Sequence, residues 1–469
     1  MLTNTNYATY RKIGPVVGGL FILLFTAYML GWMTTDDKLG LMAIPLVVGL
    51  CGVFILLKYP NVGFALMFFL IPLGPITRIG GPRSIEFFLG VLLMGVFVSR
   101  ILLLHEKIKF DRISLLGCIF AAWAVLSSVW AEDTKQALFH AIVRLSQMIA
   151  FYVLIINYCR NERRLDIITL SFIAGAVLAA LITLVKGVKV SDTERTSFAK
   201  GFDPNYFSLI ISLSMILMFY YFYKTKYKLL QIIFILCSLV ITYVIIKAQS
   251  RGVWVALPIS FLLTVAILHR NSKIVKYVTR VSVVLVLGVV SAYYSGVINE
   301  SVVERVKTLT YLFSDDPQVR VTGRFEILDV GKEMIKNTMP FGVGYANFKL
   351  VWNQYRPLTD IEDLSWQSRR AKGAHNTFLA VLAELGIFGF IIFIAIFIHI
   401  FRNIMRIGNP TTRFIFIWLI AFFMIDSLTL VTHTMPWFWF MLALIVLRAK
   451  FERQTKQLAD RMNYSSIPR

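Results

Sequence analysis

Apolar runs close to bilayer-spanning length recur along almost the whole chain, near residues 14–33, 39–57, 62–77, 86–104, 114–131, 137–158, 166–186, 204–223, 229–248, 252–268, 278–298, 375–401, 414–431 and 434–448. They predict an all-α, polytopic transmembrane bundle of about fourteen helices, twelve at the low end. The weakest run is 62–77, where Pro72 and Pro75 make a re-entrant segment the alternative to a full crossing. One polar stretch, 299–374, interrupts the pattern between the eleventh and twelfth runs. Inside it Ile327, Leu328, Met334 and Ile335 fall roughly at helical spacing, with Thr322 or Gly323 placed to cap the start, which predicts a short amphipathic helix. The chain thus divides into transmembrane helices 1–11 over 1–298, a large loop containing short helices over 299–374, helices 12–14 over 375–448 and a basic tail over 449–469.

Composition supports the pattern. Of 469 residues, 57% are hydrophobic and 14% aromatic, and the mean hydropathy of +0.71 excludes an ordinary soluble domain. Lys and Arg gather in alternate connections, among them Arg11-Lys12, Arg160/Arg163/Arg164, Lys224/Lys226/Lys228, Arg402/Arg406/Arg413 and the tail from Arg448 onward. By the positive-inside rule both termini are cytoplasmic and 299–374 faces the other side. The first run follows Arg11-Lys12 with no small-residue cleavage site, so it reads as a retained span. Cys51, Cys118 and Cys237 fall in apolar runs and Cys159 at a cytoplasmic end, which leaves the large loop without thiols for a disulfide framework. No Cys/His cluster has zinc spacing. Neither a metal nor another cofactor is predicted.

The net charge of +22 is largely what topology and anionic headgroups require, so it does not point to nucleic acid. The basic residues on the outer side are more informative: Lys186, Lys189, Arg195 and Lys200 in one loop, Arg251 at a helix mouth, and Arg305, Arg320, Arg324, Arg356 and Lys372 in the large loop. Such groups suit a phosphate-bearing ligand, and pairing with local acids such as Glu304, Asp315 and Glu362 is the plainer reading of most of them. At the end of the polar stretch stands His375-Asn376. An imidazole where a water-facing loop meets a membrane span can take a proton from a substrate beside lipid-borne chemistry.

The string His375-Asn376, nine residues, Gly386, two residues, Gly389 resembles the motif of bacterial O-antigen ligases. The helix led by Arg324, the segment Pro340 to Phe348 and Ser250-Arg251-Gly252 occur in that family's order, so the resemblance covers roughly residues 200–400. It implies a glycosyltransferase of the bacterial inner membrane that moves a glycan from undecaprenyl diphosphate to an acceptor hydroxyl at the periplasmic face. The acceptor it implies is lipid A–core, or a second lipid-linked glycan in the related O-antigen and exopolysaccharide polymerases. By resemblance Arg251 and Arg324 hold the diphosphate and His375 is the general base. Direct displacement would invert the anomeric carbon, and two guanidiniums make a metal unnecessary.

Around this triad, Asn376, Asn205, Tyr345, Arg144, Lys247 and Arg320 are candidate substrate contacts. Arg144 and Lys247 are ionisable groups inside apolar runs, where such groups are costly. Glu384 is a candidate partner for Arg144, and helix packing suffices to explain Gly386 and Gly389. Arg320 and Gly331 stand ten residues apart, a polymerase-like spacing that chance also supplies. Asp360-Ile361-Glu362 has the ligand spacing of a metal-dependent oligosaccharyltransferase but sits late, within an acidic cluster. The non-enzymatic alternative is a lipid-linked oligosaccharide flippase, in which His375→Ala would leave translocation largely intact.

Overall fold

Prolines, capping side chains and unbroken apolar stretches set the helix boundaries in the computed structural model, which describes residues 59–74, 76–78, 84–189, 195–199, 202–268, scattered positions from 283 to 304, 324–356 and 371–465. The predicted spans 14–33 and 39–57, and most of 278–298, lie outside the described residues. Two compact units emerge, one of residues 1–109 with 166–175 and the other of 110–165 with 176–469.

In the first unit, α1 (Pro60–Leu70) opens with proline at its first turn and passes into a 3₁₀ turn, Ile71–Leu73, at Pro72. Fourteen residues at about 1.5 Å each give roughly 21 Å, short of the ~30 Å hydrocarbon core. The run read as 62–77 is therefore a short apolar helix rather than a full span, because proline cannot continue the hydrogen-bond ladder. The second helix, α2, covers Ile85–Leu104. Gly175 lies against Phe69, whose carbonyl oxygen would stand 2.0 Å from any added Cβ.

In the second unit, α3 (Arg112–Leu126) is capped by Asp111 and α4 (Thr134–Tyr158) by Asp133. A π-helical stretch, Phe139–Leu145, holds His140 and Arg144 within α4. Asn161 caps α5 (Glu162–Lys186), which also supplies residues 166–175 to the first unit. A two-stranded antiparallel hairpin follows, β1 (Val188–Lys189) on β2 (Thr196–Ser197). Next come α6 (Pro204–Lys224), α7 (Lys228–Ala248), α8 (Arg251–Leu268) and, in the large loop, α9 (Arg324–Thr338). The chain closes with α10 (Thr377–Met405), α11 (Pro410–Asp426) and α12 (Pro436–Ser465). Helix α12 continues past residue 448 into the basic segment.

Among the described residues eight helices are long and apolar enough to cross a bilayer: α2, α3 with its 3₁₀ extension to Val129, α4, α5, α6, α7, α8 and α10. Together they make this a multi-pass, all-α membrane protein. Two aromatic seams hold the second unit. Trp418 of α11 meets Phe219 of α6 and Phe261 of α8, at 5.8 and 5.2 Å between ring centres. Phe393 of α10 meets Phe120 of α3 and Phe438 of α12, at 5.8 and 6.1 Å. Such ring pairs add about 1 kcal/mol each beyond the area they bury.

Candidate functional site

The motif around His375 is built on a broken helix. Gly386 adopts φ 62°, ψ −165° inside α10, a conformation that an L side chain strains to reach. The break frees backbone groups that a membrane span cannot leave bare. Val343 and Gly344 N–H donate to the carbonyls of Ala383 and Glu384, each at 2.9 Å, and Ile387 N–H donates to Pro340 O at 3.0 Å. Trp123 Nε1–H fills the Leu385 carbonyl at 2.8 Å. A Cβ at Gly386 would stand 1.9 Å from Pro340 O, so the loop 340–348 requires glycine here. Gly389 follows against Trp123, whose Cδ1 would lie 3.1 Å from an added Cβ.

The buried Glu384 carboxylate completes this socket. It accepts from Ala346 N–H at 2.9 Å and Phe348 N–H at 3.2 Å, and among the described residues no ion pair joins it to Arg144. The expected pairing is replaced because two loop amides already satisfy the charge. Arg144 is exposed, its guanidinium over the Phe139 ring at 5.9 Å. Tyr345 is buried against His433, 6.2 Å between ring centres, and its N–H donates to Ser127 Oγ at 3.1 Å. Burial and the nearby Glu384 carboxylate raise the Tyr345 pKa, with Arg144 opposing them, so the hydroxyl stays protonated. Burial also lowers the His433 pKa to about 4.

At the other end of the motif, His375 is exposed and holds φ 42°. Asn376 is the N-cap of α10, its Oδ1 accepting from Leu379 N–H at 3.0 Å. The first turn is tied to the connection after α11. Thr377 N–H donates to Ser427 O at 2.8 Å, Thr377 Oγ1 donates to Leu430 O at 2.7 Å and Thr432 N–H donates to Thr377 Oγ1 at 2.9 Å. Helix α9 runs beside α10 in the same direction. Glu326 pairs with Lys372, Gly331 would bring a Cβ within 2.7 Å of Leu379 Cδ1, and Pro340 reaches Ile387. Ile327, Val330 and Met334 bury against Ala374, Leu379 and Ala383, which bears out the amphipathic helix. Its start therefore lies level with the residues just before His375. Glu326 is also bound by Arg356 at 2.9 Å, and Gly331 has a packing role.

The same connection after α11 receives α8. The left-handed Gln249 ends α7, and Ser250 O accepts from Trp254 N–H at 3.0 Å to start α8 at Arg251. Gly252 is pressed against α11's end, where an added Cβ would stand 2.4 Å from Thr429 Oγ1 and 3.0 Å from Asp426 Oδ1. Tyr206 of α6 donates its hydroxyl to Val431 O at 2.9 Å. Asn205 does not cap α6; Asp203 does, accepting from Asn205 N–H at 2.7 Å. The Asn205 side-chain oxygen instead accepts from Arg195 Nη2 at 2.9 Å and Ser250 Oγ at 3.1 Å. Lys247 O accepts from Thr196 Oγ1 at 2.8 Å, which fastens the hairpin to the end of α7.

The starts of α8, beside Arg251, and of α10, beside His375, thus both pack on the connection 426–433, while the start of α9 is tied to Lys372, three residues before His375. The side chain of Arg324, all of Arg320 and the pair Asp360/Glu362 lie outside the described residues. Arg144 and Tyr345 belong to the surroundings of the Glu384 socket. Sequence reasoning missed Ser427 and Thr432, which carry no motif, and the bridging role of Asn205.

No curated protein matches the chain. Residues 235–394, which include Arg251, Arg324, His375, Gly386 and Gly389, match the family model described as O-antigen ligase.

Proposed function

We propose that the protein transfers a glycan from undecaprenyl diphosphate to an acceptor hydroxyl at the periplasmic face of the inner membrane, without a metal and with inversion, as an O-antigen ligase acting on lipid A–core. The superfamily indicates a ligase or polymerase type of function; donor, acceptor, side and residue roles are this proposal's own. The observation that supports it is that Gly252, next to Arg251, and Thr377, two residues after His375, both pack on the connection 426–433, with the start of α9 tied to Lys372 just before His375.

In this reading the acceptor oxygen attacks the anomeric carbon as its proton passes to the His375 imidazole. The bond from that carbon to the diphosphate breaks, and undecaprenyl diphosphate departs with the electron pair. Arg251 and Arg324 neutralise the charge that develops on the leaving oxygen, in a setting poorer in water than bulk. Base catalysis of this kind contributes about 10²–10⁴-fold in rate.

The test is transfer by purified protein from a defined undecaprenyl-linked glycan, with lipid A–core and a second lipid-linked glycan offered together and metal chelated. Product on lipid A–core, reduced about 10²–10⁴-fold in His375→Ala, is the expected result. Transfer that survives His375→Ala, or translocation without transfer, overturns it, and product on the second glycan assigns the protein as a polymerase.

A further inference from the structure

At the mouth of α8 the Arg195 guanidinium and the hydroxyl of Ser250 share one side-chain amide, and Arg251 follows Ser250 in the chain. Arg195 stands on the hairpin at the start of β2, half-buried. Its Nη2 donates to Asn205 Oδ1, and the same oxygen accepts from the hydroxyl of Ser250, the residue immediately before Arg251. Asn205 therefore couples the hairpin to the turn that carries Arg251. The hairpin is held from a second side, because Thr196, next to Arg195, binds the carbonyl of Lys247. Phe198 then packs on Phe207 of α6 at 5.2 Å between ring centres. Three fastenings fix a residue on what would otherwise be a free loop.

Among the described residues no ion pair neutralises this cation. The Arg195 Nε–H is buried and has no hydrogen-bond partner among the described residues. Burial lowers the Arg195 pKa, Asp203 opposes this, and the like charge of Arg251 adds to it. Asp203 is the nearby acid, and its carboxylate already serves as the α6 cap. Bringing a second cation towards Arg251 costs energy that the fold alone does not require. An anion with several oxygens between the two repays it.

We propose that Arg195 and Arg251 form a two-guanidinium clamp for the diphosphate of the lipid-linked donor, with Asn205 as the positioning residue that sets their spacing. The inference rests on the donor reading above and adds a contact that the ligase motif does not contain. Two planar forks a fixed distance apart match two phosphates better than one, so the clamp favours the diphosphate over the monophosphate of the same polyprenol.

The experiment measures binding of undecaprenyl diphosphate and undecaprenyl phosphate to the full chain in nanodiscs, with melting temperature as the check on folding. Arg195→Gln and Arg251→Gln are each expected to weaken diphosphate binding about 10- to 100-fold and monophosphate binding by much less. Arg195→Lys keeps the charge and loses the fork, so the preference for diphosphate falls even if Arg195→Gln does not fold. Asn205→Ala, at wild-type melting temperature, reduces the same preference because the two forks lose their register. If Arg251→Gln weakens diphosphate binding while the folded Arg195 variants keep wild-type affinity and preference, the clamp is refuted and the donor reading stands. If the wild type binds neither lipid, or Arg251→Gln changes nothing, the donor reading falls with it.

Discussion

The two ends of the His375–Gly389 motif both depart from ordinary helix geometry, and they do so for opposite reasons. At Gly386 the backbone enters positive φ where only glycine leaves room, and the loop 340–348 docks into the gap. At His375 the backbone also enters positive φ, but an imidazole occupies the position and the side chain is exposed. Strain relieved by glycine marks a joint of the scaffold. Strain carried by a bulky, proton-accepting residue marks a site where the side chain matters more than its conformational cost.

The contrast is broken most severely by Gly386→Ala. With an unfavourable φ and a Cβ 1.9 Å from Pro340 O, the variant is expected to lose about 4 kcal/mol or more. The loss will show as a lower melting temperature in detergent together with protease sensitivity of the segment 340–348. A wild-type melting temperature would contradict the close docking.

Acid comes next. His433 packs on Tyr345 at the edge of the socket, and its pKa is lowered from 6.5 to about 4 by burial. Stability is intact above about 6.5 and drains as the pH falls towards 4, because the unfolded chain takes up the proton first. The full loss is about 3 kcal/mol. Melting temperatures of wild type and His433→Gln across this range check the sign, since the variant lacks this component of the slope.

A smaller effect is expected for Glu384→Gln, which leaves one acceptor oxygen for the two amides of Ala346 and Phe348. The cost is about 2 kcal/mol, with faster hydrogen exchange at those two amides as the readout. The smallest change sharpens the comparison by reversing its sign. His375→Gly relieves positive φ and is expected to gain up to about 1 kcal/mol of stability while glycan transfer is lost. A variant that is both destabilised and active would remove the distinction between the two ends.

Much of the architecture was legible because a membrane span announces itself by composition over about twenty residues. The runs beginning at 86, 114, 166, 204, 229 and 252 meet helices that start at Ile85, Arg112, Glu162, Pro204, Lys228 and Arg251. The amphipathic helix at 324–338 was legible from its periodicity, although Val330, on the same buried face, was not singled out. What escaped depends on residues far apart in the chain. Gly386 reads equally well as close helix packing until Pro340 is seen against it. Glu384 reads as a partner for an arginine until two loop amides reach it. Ser427 and Thr432 form a hub because Thr377 comes to them, and their own neighbourhood in the sequence carries no sign of it.

The bonds that cross the break in α10 also restrict motion during turnover. Residues 343–344 and the Trp123 indole complete the hydrogen bonding of a span in a low-dielectric medium, so lifting that stretch away would strand carbonyls where water cannot replace the lost donors. It is a fixed ledge and not a lid. In the proposed reaction any opening that admits a bulky sugar chain must therefore hinge elsewhere, with the ledge as a stationary floor.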